Sequence, residues 1–310
     1  MANEETIVNK IITVDTILEV ANYLEDKLEE YKRLYNEELK RNQGLDRYEQ
    51  IFKCKLSDSS KIEYEITFID NKSLTQSDYN WFAGNLANPS LVKRVNIYYY
   101  ISYEDNSEDI KNSVYRNVHA HITFHDDTIF MTVDGKELEN ETYNLHSTLR
   151  NILENSEDRY NKTVKNRNLR IQSFCLSIGF VLSYIIYLIL LANKTSLPEI
   201  FVQLMGNKYA LVFGQWFVAA ISGNMLGYPI MMNFYRNIIP KTRYSHYSSS
   251  SHKSVYVDDV EDFVGHCEVQ IGNFANNGKK RLLIEKIYKI TKIIVLIQLV
   301  LSIIFFLILK

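Results

Sequence analysis

Ile171–Ala192 reads IQSFCLSIGFVLSYIIYLILLA and contains no charged side chain. A helix needs about 20 such residues to cross the roughly 30 Å of hydrocarbon in a bilayer. No water is present there to satisfy backbone N–H and C=O groups, so a segment of this kind has to be helical. Two further apolar stretches follow, at about Tyr209–Met232 and Ile293–Leu309, the last directly before Lys310. What precedes Ile171 is soluble in character. The expected architecture is an α+β domain, an antiparallel β-meander with flanking helices, followed by an α-helical transmembrane region of three spans. The expected divisions are 1–140 for the domain, 141–170 for a basic helical stalk, 171–192, 209–232 and 293–309 for the spans, and 233–292 for a long loop.

Composition excludes some classes. A formal charge of −2 gives no reason to expect nucleic acid as a direct ligand. Of the cysteines, Cys175 lies inside the first span while Cys54 and Cys267 lie in soluble segments, which suits neither a disulfide framework nor a four-ligand zinc site. The N-terminal MANEETIVNK is polar and lacks the apolar core of a cleaved signal peptide.

Within the domain, Ile7, Ile11, Val14, Ile17, Ala21, Leu24, Leu28, Tyr31 and Tyr35 recur at helical steps, predicting one long helix from about Thr6 to Gln43. It would serve either as a dimerising coiled coil or as an amphipathic helix lying on its own sheet. Its alanine and tyrosine positions make a poor coiled-coil seam. Strands are predicted at Lys61–Asp70, Val92–Tyr103, Val114–His125 and Thr128–Val133, with a short helix at Ser77–Leu86. Leu145, Leu149, Ile152 and Leu153 then form an apolar stripe, which runs on to Arg159, Lys162, Lys165, Arg167 and Arg170. The long loop holds a serine run (Ser248–Ser251), an acidic cluster (Asp258, Asp259, Glu261, Asp262) and a basic stretch from Lys279 to Lys292. Part of this loop is expected to fold with the N-terminal domain.

Lysine and arginine near span ends set orientation. The stalk is dense in them, the loop after the first span has only Lys194 and Lys208, and the long loop is basic at both ends. This places the N-terminal domain and the long loop in the cytosol and the C-terminus outside, at the plasma or inner membrane. Lys162, Lys165, Arg167, Arg170, Lys279, Lys280 and Arg281 would then face the anionic lipids of the inner leaflet.

The spans lack Asp, Glu, Lys, Arg and His, which argues against a pump or ion-coupled carrier. They carry small and polar stripes instead: Gly179 and Ser183 in the first, Gln215, Ala219, Gly223 and Gly227 in the second, Gln298 and Ser302 in the third. Small residues let helix backbones approach, and amides bond across the contact. The stripes serve either packing within one protomer or association into a homo-oligomer. Only an oligomer could enclose a polar path, because three helices cannot.

His119, His121 and His125 alternate along one predicted strand and so share a face. An H-x-H pair on a strand can hold a zinc ion, with Asp126 or Asp127 as a further ligand; a polar outer face opposite Val118, Ala120, Ile122 and Phe124 explains the same pattern. Tyr98, Tyr99, Tyr100 and Tyr103 offer rings for stacking. No phosphate-binding glycine loop, dinucleotide fingerprint, nucleophile elbow or H-E-x-x-H occurs, so no cofactor and no reaction is indicated. Arg116–His121, RNVHAH, resembles the R-x4-H pattern of HEPN ribonucleases over six residues. That motif sits on a helix, whereas this stretch alternates like a strand. The overall layout is similar to that of bacterial immunity and abortive-infection effectors, in which a small sensory domain is fused to a few spans. That similarity implies a sensor for an unknown ligand or protein whose spans perturb the membrane. A membrane-tethered interaction module and a membrane-anchored hydrolase are the other classes the pattern admits.

The topology is directly testable. In a Cys54→Ser background, Ser196→Cys should react with an impermeant thiol reagent on intact cells and Ser249→Cys should not. The reverse labelling would overturn the orientation.

Overall fold

The computed structural model describes residues 3–41, 60–105, 114–136, 138–193, 199, 203, 206–236, 238–239, 242–245, 255–258 and 260–308. Cys54, the loop around Pro198, His246, the serine run and His252 lie outside them. In chain order the first elements are β1 (Asn3–Ile7), β2 (Ile11–Ile12), α1 (Val14–Arg41), β3 (Lys61–Phe68), β4 (Ser73–Gln76), α2 (Tyr79–Leu86), β5 (Val92–Asp105), β6 (Val114–His125), β7 (Thr128–Lys136) and α3 (Glu139–Glu154). Then come α4 (Lys162–Lys165), α5 (Arg167–Ala192), α6 (Lys208–Phe234), β8 (Thr242–Ser245), β9 (Val255–Asp258), α7 (Val260–Val264), β10 (Glu268–Val269) and α8 (Asn277–Ile308). The chain divides into two units: Met1–Arg159 with Pro240–Asn276, and Tyr160–Ile239 with Asn277–Lys310.

The first unit is α+β, built on an antiparallel sheet ordered β1-β7-β6-β5-β3-β4. Alternation explains it. On β6, Val118, Ala120, Ile122 and Phe124 are buried while the histidines between them are only half-buried. Ile17, Ala21, Leu24, Leu28 and Tyr31 of α1 join Leu145, Leu149 and Leu153 of α3 in the same apolar cluster as the inner sheet residues. Thus α1 is an amphipathic helix lying on its own sheet. On β3, Tyr64 donates to Glu25 of α1 at 2.6 Å and stacks on Phe82 of α2 at 4.3 Å, which seats both helices on this face.

Three sequence expectations change. The helix begins at Val14, because Asn3–Ile7 forms an edge strand against β7 and Asn9, at φ 56°, turns the chain into β2. Ile7 and Ile11 matched helical spacing, yet each is buried from a strand. The stalk is not one element. Helix α3 ends at Glu154 and belongs to the sheet's core, where His146 and Arg150 meet Glu5 of β1 at 3.2 and 3.3 Å. Arg159 turns inward, donating to the Phe263 carbonyl at 3.1 Å.

Part of the long loop completes this unit. Strand β10 pairs in parallel with β2, Glu268 beside Ile11 and Val269 beside Ile12. On its other side the backbone N–H groups of Cys267 and Val269 donate to Asp127 and Asp126 in the β6–β7 turn, at 2.8 and 3.0 Å. Cys267, Val269 and Ile271 are fully buried in the common core. Burial pushes the Cys267 thiol up to about 11, which makes it a packing residue rather than a reactive one.

The second unit is helical. Helices α5, α6 and the helix ending at Ile308 are each long and apolar enough to cross a membrane. Helix α8 begins at Asn277, well before the third expected span, so the basic stretch and that span are one continuous helix.

Candidate functional site

The outer face of the sheet carries the histidines. Tyr98 lies beside His121 across the β5–β6 ladder, and their rings stack at 4.4 Å, 13° from parallel. The Tyr98 hydroxyl donates to Glu65 Oε2 at 3.1 Å, and Asn96 Nδ2 donates to the same oxygen at 2.6 Å. Thr123 donates to Asn96 Oδ1 at 2.9 Å and lies 3.2 Å from His121 Nε2. Because the Thr123 proton is committed to Asn96, its oxygen accepts from His121, which makes Nε2 the protonated nitrogen. A closed polar ring therefore spans β3, β5 and β6, with an aromatic pair as one side. Such a ring fixes side-chain positions on an otherwise exposed surface.

Burial holds the His121 imidazole below the ordinary histidine value, partly offset by Glu65 nearby. The ring is thus disposed to stay neutral. Chemically the face offers a fixed aromatic pair bordered by Glu65 and Glu63 of β3 and by Arg94 of β5. Such a face can stack against a planar or aromatic group.

The metal expectation does not carry forward. His119, His121 and His125 do share a face, but their surroundings differ. His119 lies opposite Asp134, His121 enters the polar ring, and His125 sits 3.7 Å from Asp127. Strand rise separates alternate residues by about 7 Å, so convergence on one ion needs side chains that turn together. Among the described residues no group of three or more His, Cys, Asp or Glu could hold a metal ion. The ribonuclease pattern is likewise not assembled. Arg116 and His121 occupy β6 at positions of opposite parity, and the motif's helix is absent there.

The acidic cluster resolves in part. Asp262 and Asp127 flank His266 at 3.6 and 4.0 Å, and Asn273 approaches Asp126 at 3.5 Å. Burial pushes the Asp126 carboxyl up. Asp259 lies outside the described residues.

In the helical unit the small residues meet one another. A Cβ at Gly179 would collide with the Ala219 carbonyl, and one at Gly223 with the Cys175 carbonyl; one at Gly227 would press on Cys175. Close backbone approach of α5 and α6 requires these glycines. The polar stripe is also internal: Tyr184 donates to Gln298 at 2.6 Å, Gln298 to Gln215 at 3.3 Å, and Trp216 to Ser302 at 3.2 Å. Ala219, Ser183, Gln298 and Ser302 are buried, whereas Phe213, Phe217 and Met225 stand about 70% exposed.

Two basic residues expected to face lipid do not. Arg170 is buried, its guanidinium 2.6 Å from Glu285 and 5.3 Å over the Tyr288 ring. Thr163 supplies Glu285 with a further hydrogen bond at 2.9 Å. Arg281 is buried one turn before Glu285. Lys162, Lys165 and Lys279 are exposed, and Arg167 and Lys280 half-exposed. The sequence could not show this, since Arg170 and Glu285 belong to helices far apart in the chain.

Compared with known protein families, curated proteins and solved structures, the chain matches none.

Two outcomes follow from these contacts. Because His121 takes up a proton less readily folded than unfolded, its contribution to stability is full above pH 6.5 and is lost as pH falls below it. The thermal midpoint of the purified chain should fall between about pH 7 and pH 5 more steeply than that of His121→Gln; parallel curves would count against the ring. Gly223→Leu should sharply reduce the monodisperse yield on fluorescence-detected gel filtration. Gly214→Leu, where added atoms meet open space, should not.

Proposed function

We propose that this chain is a multi-pass membrane sensor–effector. Its α+β unit recognises a ligand or partner in the cytosol, and its spans respond by associating and perturbing the membrane. The observation that carries this reading is how the soluble unit is tied to the helices. The chain passes between the units at Arg159–Tyr160, at Ile239–Pro240 and at Asn276–Asn277. A simple anchor needs one such link. Here the start of the first span, the end of the second and the start of the third are all bonded to one folded body, so a rearrangement in that body reaches every span.

The same wiring supports the topology. Residues 1–159 and 240–276 share one core, so they must occupy one compartment, which an even number of spans between them allows. The lysine and arginine distribution supports the cytosol as that compartment. Exposed Lys162, Lys165 and Lys279 would then lie near anionic headgroups. The glycine face is already occupied within the protomer. Homo-oligomers would therefore meet through outward side chains such as Phe213, Phe217 and Met225. In this respect the chain resembles few-span effectors of bacterial immunity in layout only.

Expression of the full chain at high level, followed with a membrane-potential dye and by crosslinking, tests the reading. Depolarisation should accompany the appearance of crosslinked oligomers. Abundant inserted protein with unchanged potential, alone and with candidate triggers, would leave a membrane-tethered interaction module, for which the fixed aromatic face of the sheet is suited.

A further inference from the structure

A cavity of about 260 Å³ opens in the α+β unit between α1, α3 and strands β5 and β6. Pockets for drug-sized ligands run from about 300 to 1,000 Å³, so this one suits something small. Three tyrosines line it. Tyr31 and Tyr99 are buried and Tyr23 half-buried. The Tyr31 ring is held in place, since its hydroxyl donates to the Ser102 carbonyl. On α1, Tyr23, Lys27, Glu30 and Tyr31 follow helical spacing and so share one face.

The charges at the mouth are exposed and unequal. Lys27 and Glu30 pair with each other at 2.8 Å and offset one another. Glu141, on the first turn of α3, also lines the cavity and has no ion-pair partner among the described residues. The rim is left with one negative charge over an interior in which the tyrosines alternate with Leu34, Ile101, Val118 and Leu145.

We infer that this cavity binds a small organic cation, its ammonium group set against the partly exposed Tyr23 ring, with Glu141 as counter-charge and the buried Tyr31 and Tyr99 in the floor. The negative face of an aromatic ring attracts a cation, and a poorly hydrated ammonium loses little on leaving water. An anion would meet the Glu141 carboxylate, and a neutral molecule would gain only apolar contact. This names the class of ligand for the sensor proposed above and rests on that reading for its biological role.

The experiment is calorimetric titration of the detergent-purified full chain with choline and, separately, with 3,3-dimethylbutan-1-ol, its uncharged isostere. Choline should bind saturably and about 10-fold more tightly than the alcohol. Glu141→Gln, a surface change on the first turn of α3 that should lower the melting temperature only slightly, should weaken choline by about 3- to 30-fold without affecting the alcohol. Tyr23→Leu, which keeps an apolar filler, should weaken choline as well. Absent choline binding by folded protein, equal affinity for the alcohol, or an unchanged Glu141→Gln would each overturn the assignment. Choline bound without any change of membrane potential would uphold the cavity and remove only the effector reading.

Discussion

Two residues of β10 lie beside two of β2, although the chain runs through two long apolar helices between them. The contact is small, yet it joins three pieces of backbone: the turn into α1, the β6–β7 hairpin and the loop ahead of α8. Without it Cys267, Val269 and Ile271 would stand in water rather than in the common core. Burying an aliphatic side chain of that size is worth about 1.5–3 kcal/mol, so the loop is held by its apolar residues and aligned by its hydrogen bonds. That alignment turns what would be a linker into part of the folded body. It is also the reason all three spans are fastened to a single object.

The two units solve opposite solvation problems. In the α+β unit the apolar side chains go inward, and polar rings such as that of Glu65, Asn96, Thr123 and His121 form outside. In the helical unit polar groups go inward as well. Gln215, Gln298, Ser302 and the Arg170–Glu285 pair lie within the bundle beside Phe180 and Met231, while Phe213, Phe217 and Met225 point out. In hydrocarbon such polar contacts add only about 0.6–2 kcal/mol each, and close glycine packing supplies much of the rest. Arg170 is a different case. Removing Glu285 would leave a buried guanidinium without its counter-charge, which is costly at any depth.

Much of the fold was legible because period-two alternation is hard to mistake. Strands β5 and β6 begin at the expected residues, and the histidine face of β6 lies where alternation puts it. Periodicity misled at the N-terminus, where Ile7 and Ile11 keep helical spacing while sitting in separate strands. It also misled at α3, whose leucine stripe reads equally well as a stalk or as a helix on a sheet. The site was less legible still. The alternation of β6 shows that His121 faces outward, but Glu65 and Asn96 are brought to it by neighbouring strands. Likewise Tyr23 and Glu141 meet at one cavity only once α1 and α3 have packed on the same sheet.

The place of β10 in the chain has a consequence for synthesis. A ribosome that has finished Arg159 must still make both α5 and α6 before Val269 exists. At about 5–20 residues per second that interval is on the order of ten seconds. Throughout it the β2 edge and the apolar surface meant for Val269 and Ile271 lack their covering strand. The nascent domain must wait, nearly complete, while both of these long apolar helices are made. On the membrane topology proposed above, closure of its core becomes a record that both have crossed in the correct sense, since a misoriented second helix would strand the missing segment on the wrong side of the bilayer.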